Sequence, residues 1–480
     1  MHDFRLVNWG PDEAKDDHDL PGYFVAFPEF ADIEAGQIRY VVGRKGTGKT
    51  AIIERIKQRV AADAMGFSSN LTLRNFPLQD FRELRDRSQR DKSQFVAAWS
   101  FLLLIELAKM VCSDNGAETA SAVDELRQFL SANGLDSSAG FASTITSLTK
   151  AESKVKVSTG WLDGERLGGS QTQITLPVHY QKVVGALAAR LVNVSSESEY
   201  WLFIDELDEG YRAGDTSLRL VLLGLFRAVE DLALSLRAAH FHFRPLVVLR
   251  SDIFDRLEDN DLNKLDDYVY RLGWTTREEM DDYALKLVPE ARIVKSIPGA
   301  VLDPWGHVVV NFDGDLPQYV ESVWAFMTSR TYDRPRDIIK FLKSCRKHTK
   351  SGQLPFSSVR LAEDTYSDWL FREIRDEIHS YLPCWREATQ CITRIGTGRF
   401  SVTNFLDTLK EDKTVSKWIS EGGNSAEAVV ETLYEFGVLG NYDGRRWLFK
   451  YKDQDLTWNP AMELIVHFGL CKKLRVTRSF

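Results

Sequence analysis

Only five cysteines occur in 480 residues: Cys112, Cys345, Cys384, Cys391 and Cys471. None stands in a C-x-x-C pair, which argues against a disulfide framework or a structural zinc site and fits a reducing, cytoplasmic setting. A basic excess is missing too. The net charge is -8 with a pI near 5.7, so nothing global drives the chain towards nucleic acid, although a local basic face is allowed. Met1-His2-Asp3-Phe4-Arg5 does not begin a secretory signal. No apolar run reads as membrane-spanning, because Phe101-Leu102-Leu103-Leu104-Ile105 soon meets Glu106 and Lys109. No membrane partner is expected. The serines, histidines and aspartates form no nucleophile elbow, and His179, His240, His242 and His467 read as packing or surface residues. What is present is ordinary for a globular chain of two to four domains, 44% hydrophobic and 27% charged.

Against that background one stretch stands out. Gly43-Arg44-Lys45-Gly46-Thr47-Gly48-Lys49-Thr50 satisfies G-x-x-x-x-G-K-[ST] at every fixed position. Ile38-Arg39-Tyr40-Val41-Val42 runs into it as a buried strand, and Ala51-Ile52-Ile53-Glu54-Arg55-Ile56-Lys57 leaves it as a helix. Strand, glycine loop and helix start make an anion cradle, with glycines letting backbone N–H groups approach phosphate oxygens. Residues 43–51 are therefore the expected nucleotide contacts. Lys49 is placed for the β/γ-phosphates and Thr50 for Mg²⁺.

The rest of the chain alternates strands and helices, then loses its strands. Leu71–Phe76 alternates like a strand, and a long helix covers about Ser93–Val111. Residues 113–177 turn Ser-, Gly- and Asn-rich with a strand-like Thr172–Leu176, and read as an insertion, most simply an exposed embellishment. Apolar strands resume at Tyr200–Ile204 and Pro245–Leu249, with a short one at Asp267–Leu272. This pattern specifies an α/β fold with a mainly parallel, doubly covered sheet, and together with the glycine loop the expected fold class is a three-layer P-loop NTPase sandwich. The expected division is a core over 1–274, a helical subdomain over 275–381 and a winged-helix-like domain over 382–480. Tyr23–Phe30 is expected to pack beside the nucleotide strand, with contact to an adenine base as the alternative.

Ile204-Asp205-Glu206 closes the strand that begins at Tyr200. A carboxylate at the C-terminal end of a parallel strand faces the ligand crevice. Asp205 is the expected Mg²⁺ partner of Thr50, and Glu206 is placed to polarise an attacking water. Leu249-Arg250-Ser251-Asp252 ends the next strand; Arg250 or Ser251 fits a γ-phosphate sensor, while Asp252 fits a helix cap. Asp333-Arg334-Pro335-Arg336-Asp337 opens a helix, where Arg334 or Arg336 serves either as a second sensor or simply as a surface residue near Pro335.

With these motifs in this order, the chain resembles bacterial P-loop ATPases of the AAA+ and STAND neighbourhood, close to origin-recognition-like ATPases. Asn263-Lys264-Leu265-Asp266-Asp267 leading to Leu272-Gly273-Trp274 resembles the connector to that group's helical subdomain. Leu433-Tyr434-Glu435-Phe436-Gly437-Val438-Leu439-Gly440 and Trp447-Leu448-Phe449-Lys450-Tyr451, with His467, resemble its winged-helix segment. The resemblance covers about 20–110 and 178–470. It implies ATP with Mg²⁺ as cofactors, Lys49, Glu206, Arg250, Ser251, Arg334 and Arg336 as the catalytic set, and an arginine from a neighbouring subunit, for which Arg212, Arg219, Arg227 and Arg237 are candidates. Asn263–Asp266 formally fits a guanine-reading string but lies in a charged segment away from an apolar strand, so it reads as coincidental. The implied activity is ATP hydrolysis that switches or drives a protein partner or self-association, in a setting such as bacterial defence. The alternative is an ATP-licensed DNA-binding protein acting through its C-terminal region and the basic tail Lys472-Lys473-Leu474-Arg475-Val476-Thr477-Arg478.

Overall fold

The computed structural model describes residues 3–72, 77–117, 120–135, 142, 144–146, 154–158, 171–207, 215–257, 259, 262–274 and 284–477. Two compact units result. One comprises Pro28–Lys45 and Lys49–Leu272; the other comprises Met1–Phe27, Gly46–Gly48 and Gly273–Phe480.

The first unit is built on strands β1 (Tyr40–Gly43), β2 (Gly66–Thr72), β5 (Glu199–Asp205), β6 (Phe243–Arg250) and β7 (Val269–Arg271), with β3 (Lys154–Ser158) and β4 (Gln171–Thr175) forming a separate antiparallel pair. The five strands make one parallel sheet in the order β2-β5-β6-β1-β7. Its three inner strands carry the apolar runs and are buried almost throughout, as strands covered on both faces must be. The edge strands β2 and β7 are more polar and partly exposed, which blunts edge-to-edge pairing. This explains one displaced boundary. The alternating signal pointed to Leu71–Phe76, yet β2 starts at Gly66, because its register with β5, Gly66 opposite Glu199 through Thr72 opposite Asp205, is set by long-range pairing. Residues 73–76 lie outside the described residues.

Helices α1 (Lys49–Ala61), α2 (Ser93–Ser113), α3 (Leu176–Val192) and α4 (Thr216–Ala238) belong to this unit. Asp215 caps α4, its carboxylate accepting from the Ser217 and Leu218 N–H groups at 3.0 and 3.1 Å. The α2 helix corrects the reading that no run is long and apolar enough to cross a membrane. It has 21 residues, a mean hydropathy of 1.9 over its most apolar window, and 78% of that window is buried in the protein. Its Trp99 indole donates to the Val221 carbonyl of α4 at 2.9 Å. A Cβ on Gly224 of α4 would lie 2.8 Å from the Phe95 Cβ, so glycine is what permits that close approach. The segment expected to be an exposed embellishment also differs. Leu126, Phe129, Leu130, Val155 and Val157 are buried in the same core as the sheet. Spread among serines and glycines, they left too weak a periodic signal.

The second unit holds α5 (Pro335–Cys345), α6 (Phe356–Ile378), α7 (Trp385–Ile395), α8 (Val402–Glu411), α9 (Lys413–Gly422), α10 (Ala426–Glu435) and α11 (Cys471–Leu474). Strands β8 (Arg399–Phe400), β9 (Leu439–Tyr442), β10 (Trp447–Leu448) and β11 (Glu463–Val466) form an antiparallel sheet ordered β10-β9-β11-β8. The stretches 275–381 and 382–480, expected as separate domains, share one hydrophobic core. The Tyr332 ring stacks on His467 with centroids 4.2 Å apart, and its hydroxyl donates to the Gly437 carbonyl at 3.1 Å. His467 is fully buried, with Nε2 3.1 Å from the Thr331 carbonyl oxygen. The N-terminal residues, expected with the nucleotide core, also belong here. Phe4, Val7 and Trp9 enter this core, and Asp12 pairs with Lys340 at 2.6 Å. Tyr23, expected to pack beside the nucleotide strand, belongs to this unit, its hydroxyl on Asp17 and the Arg292 guanidinium 4.3 Å from its ring centre.

Candidate functional site

The loop between β1 and α1 leaves the C-terminal end of an inner parallel strand, where ligands bind in open α/β sheets. Gly46 has φ +82° and Gly48 has φ +106°, conformations that a side chain resists. Lys49 begins α1, and its ammonium donates to the Gly43 and Arg44 carbonyls at 2.8 and 2.9 Å. The cation thus sits folded over the start of its own loop. Within the second unit, the loop tip is held by the Trp274 indole, which donates to the Thr47 carbonyl at 2.8 Å, while the Arg336 N–H lies 3.4 Å from the Gly46 carbonyl oxygen. Arg44, Lys45 and Ala51 are half-buried along the loop and first helical turn.

Sheet pairing brings the acidic residues to this loop. The Thr50 hydroxyl donates to the Asp205 carboxylate at 3.2 Å, joining residues 155 positions apart. Asp205 is buried and its other oxygen accepts from the Glu206 N–H at 2.7 Å. Glu206 has φ +61°, rare for a residue with a long side chain and a source of local backbone strain. Its carboxylate accepts from the Thr72 hydroxyl. Thr72 is opposite Asp205 in the β2–β5 register. Sequence reasoning missed Thr72, since the polar run of β2 gives no local signal that its last residue meets Glu206.

The four sensor candidates have different surroundings. Arg250 forms a two-pronged pair with Asp252, at 2.9 and 2.7 Å, so Asp252 binds an arginine rather than capping a helix. Ser251 is buried at the start of the short helix Ser251–Phe254. Arg334 is buried and pairs with Asp337 at 3.0 Å and Glu377 at 2.9 Å. Burial alone would lower its pKa, but those two carboxylates outweigh that effect and hold it above the ordinary arginine value. Arg336 is more exposed and pairs with Glu373 at 3.1 Å. Of the arginines weighed for a neighbouring site, Arg227 pairs with Asp231 on its own helix at 3.1 Å, and Arg212 lies outside the described residues. Asp208 and Glu209, which add negative charge just after Glu206 along the sequence, also lie outside them. Asn263–Asp266 falls in the 3₁₀ stretch Leu262–Tyr268 ahead of edge strand β7.

Residues 304–375 match the family model described as the FunZ-associated C-terminal helical domain. A comparison with curated proteins found no match. The matched stretch covers α5 and most of α6 and belongs to the second unit, whereas Asp205 and Glu206 belong to the first.

The residues fit a magnesium nucleotide. No cluster of three or more His, Cys, Asp or Glu side chains suited to a metal occurs among the described residues. A hydroxyl beside one carboxylate is instead the sparse, hard-oxygen set with which Mg²⁺ is held alongside substrate phosphates. The positive-φ glycines and Lys49 supply the matching anion cradle.

Proposed function

We propose that this chain binds and hydrolyses ATP with Mg²⁺ and uses the cycle to switch a protein partner. The observation that carries the reading is the Thr50–Asp205 contact at 3.2 Å beside a loop with two positive-φ glycines. A chance match to the loop pattern has no reason to bring a strand-end carboxylate to its threonine.

In this reading Thr50 and Asp205 hold Mg²⁺, which would neutralise phosphate charge. Backbone N–H groups of residues 46–50 cradle the phosphates. Lys49 exchanges its loop carbonyls for phosphate oxygens, an exchange between equivalent oxygen acceptors that needs only side-chain rotation. Glu206, fixed by Thr72, orients water and accepts its proton. Arg250 stands at the end of β6, the strand between β1 and β5, and is the better sensor candidate by position, because Ser251 is buried. The parallel sheet, with β6 between the loop strand and the acidic strand, supports the AAA+ and STAND resemblance.

The order of helices α8 to α10 followed by the β9–β10 hairpin and β11 supports a winged-helix reading of the C-terminal region. One detail favours a protein over duplex DNA at that helix set. The outward residues of α10, the helix just before the hairpin, include Glu427 and Glu431, which repel phosphates.

The test is ATP binding and turnover for the wild type, Lys49→Ala and Glu206→Gln. Losing the Lys49 cation should weaken ATP binding about 10- to 100-fold, from roughly 1.5–3 kcal/mol per charge-assisted hydrogen bond. Glu206→Gln should bind ATP normally and turn it over at least about 100-fold more slowly. Equal turnover in all three proteins sinks the proposal.

A further inference from the structure

The second unit contains a cleft of about 410 Å³ between α6, α7 and α11. Helix α6 contributes Phe371, Arg372 and Arg375, α7 contributes Trp385 and Arg386, and Lys473 comes from α11. The spacing on each helix follows one face, so the grouping is built into the helical repeat. Four cations face a single lining carboxylate, Asp368, in a chain whose net charge is -8. Asp368 pairs with Lys473 at 2.7 Å, and Arg375 pairs with its neighbour Asp376 at 2.8 Å. Among the described residues, neither Arg372 nor Arg386 has an ion-pair partner, and both are exposed. Phe371 and Trp385 are half-buried with ring centroids 5.5 Å apart, and the Arg386 guanidinium lies 5.8 Å from the centre of the Trp385 ring.

We propose that this cleft binds a single-stranded nucleic acid, with Arg372 and Arg386 on phosphates and Trp385 as a stacking surface for a base. The chemistry selects this occupant. Unpaired cations on two walls match a phosphate chain, and half-buried aromatic side chains in the same lining match bases free to stack. A duplex hides its base faces, and a run of acidic side chains offers no aromatic ring to stack on Trp385. Neutral polar side chains from α7, Thr389, Gln390 and Thr393, complete the lining without adding negative charge. This proposal is independent of ATP hydrolysis and concerns a different face from the acidic side of α10.

The experiment is fluorescence anisotropy with the full chain and labelled oligothymidine or oligouridine of about 20 nucleotides, against a duplex of equal length and polyglutamate. The single strand should bind at low salt and most tightly of the probes; a preference for the DNA or the RNA strand identifies the source. Arg372→Glu with Arg386→Glu should weaken binding at least about tenfold and flatten the log–log salt slope by roughly 1.4, two phosphate contacts at about 0.7 each. Trp385→Leu should weaken binding about tenfold. Circular dichroism melts establish folding, and if the charge reversals unfold the chain, the paired Gln variants are read in their place. Absence of single-strand binding at low salt, duplex or polyglutamate binding as tightly, or wild-type binding by the double variant overturns the proposal.

Discussion

Arg334 and Arg336 stand two residues apart at the start of α5, and the structure gives them opposite weights. Arg334 is 2% exposed and satisfies two carboxylates that are equally buried, Asp337 at 1% and Glu377 at 3%. Arg334→Ala would remove the cation that pairs with both carboxylates inside the second unit. Removing one partner of a buried pair costs about 3–5 kcal/mol, mostly as the penalty on the charge left behind. In a unit of this size each kcal/mol moves the melting temperature by about 2–4 °C, so a drop of about 6–20 °C is expected. Arg336 pairs with Glu373 at a partly exposed position, with side-chain exposures of 26% and 14%. Such a pair contributes about 0–1 kcal/mol, so Arg336→Ala should melt within about 4 °C of the wild type. The assay is thermal unfolding by circular dichroism without nucleotide, repeated by urea titration. The reasoning fails if Arg334→Ala melts within about 2 °C of the wild type, or if Arg336→Ala is the more damaging change. A pure nucleotide sensor would show the reverse pattern, with normal melting and lost turnover.

Two further perturbations probe the candidate site. Thr72→Val keeps the shape of β2 but removes the hydroxyl on Glu206; kcat should fall about tenfold with KM within about threefold, from roughly 1.5 kcal/mol of lost positioning. Unchanged or faster turnover would refute a positioning role for Thr72. Gly48→Ala meets nothing within 4 Å, so any effect must come from its φ of +106°. A strain of about 1–3 kcal/mol should weaken nucleotide binding about 5- to 150-fold without altering the melt of the sheet unit, and wild-type affinity would show that the loop tolerates another conformation.

The sequence by itself determined those features of the candidate site that depend on neighbours along the chain. The glycine loop, the strand before it, the helix after it and the acidic pair at the end of an apolar strand are each contained in a few residues, and short-range periodicity suffices to find them. The apolar runs of β1, β5 and β6 likewise announced strands buried on both faces. Tertiary structure decided everything that joins distant positions. Parallel pairing set β2 against β5 and so carried Thr72 to Glu206, although β2 is too polar to declare its own limits. Core packing drew Phe4, Val7 and Trp9 into the C-terminal unit and gave buried places to Val155 and Val157, because scattered apolar side chains gain as much from burial as clustered ones. At Arg334, local sequence left a sensor and a surface residue equally open; the surface reading falls to burial against Glu377, 43 positions away, since a buried cation is tolerated only where partners neutralise it.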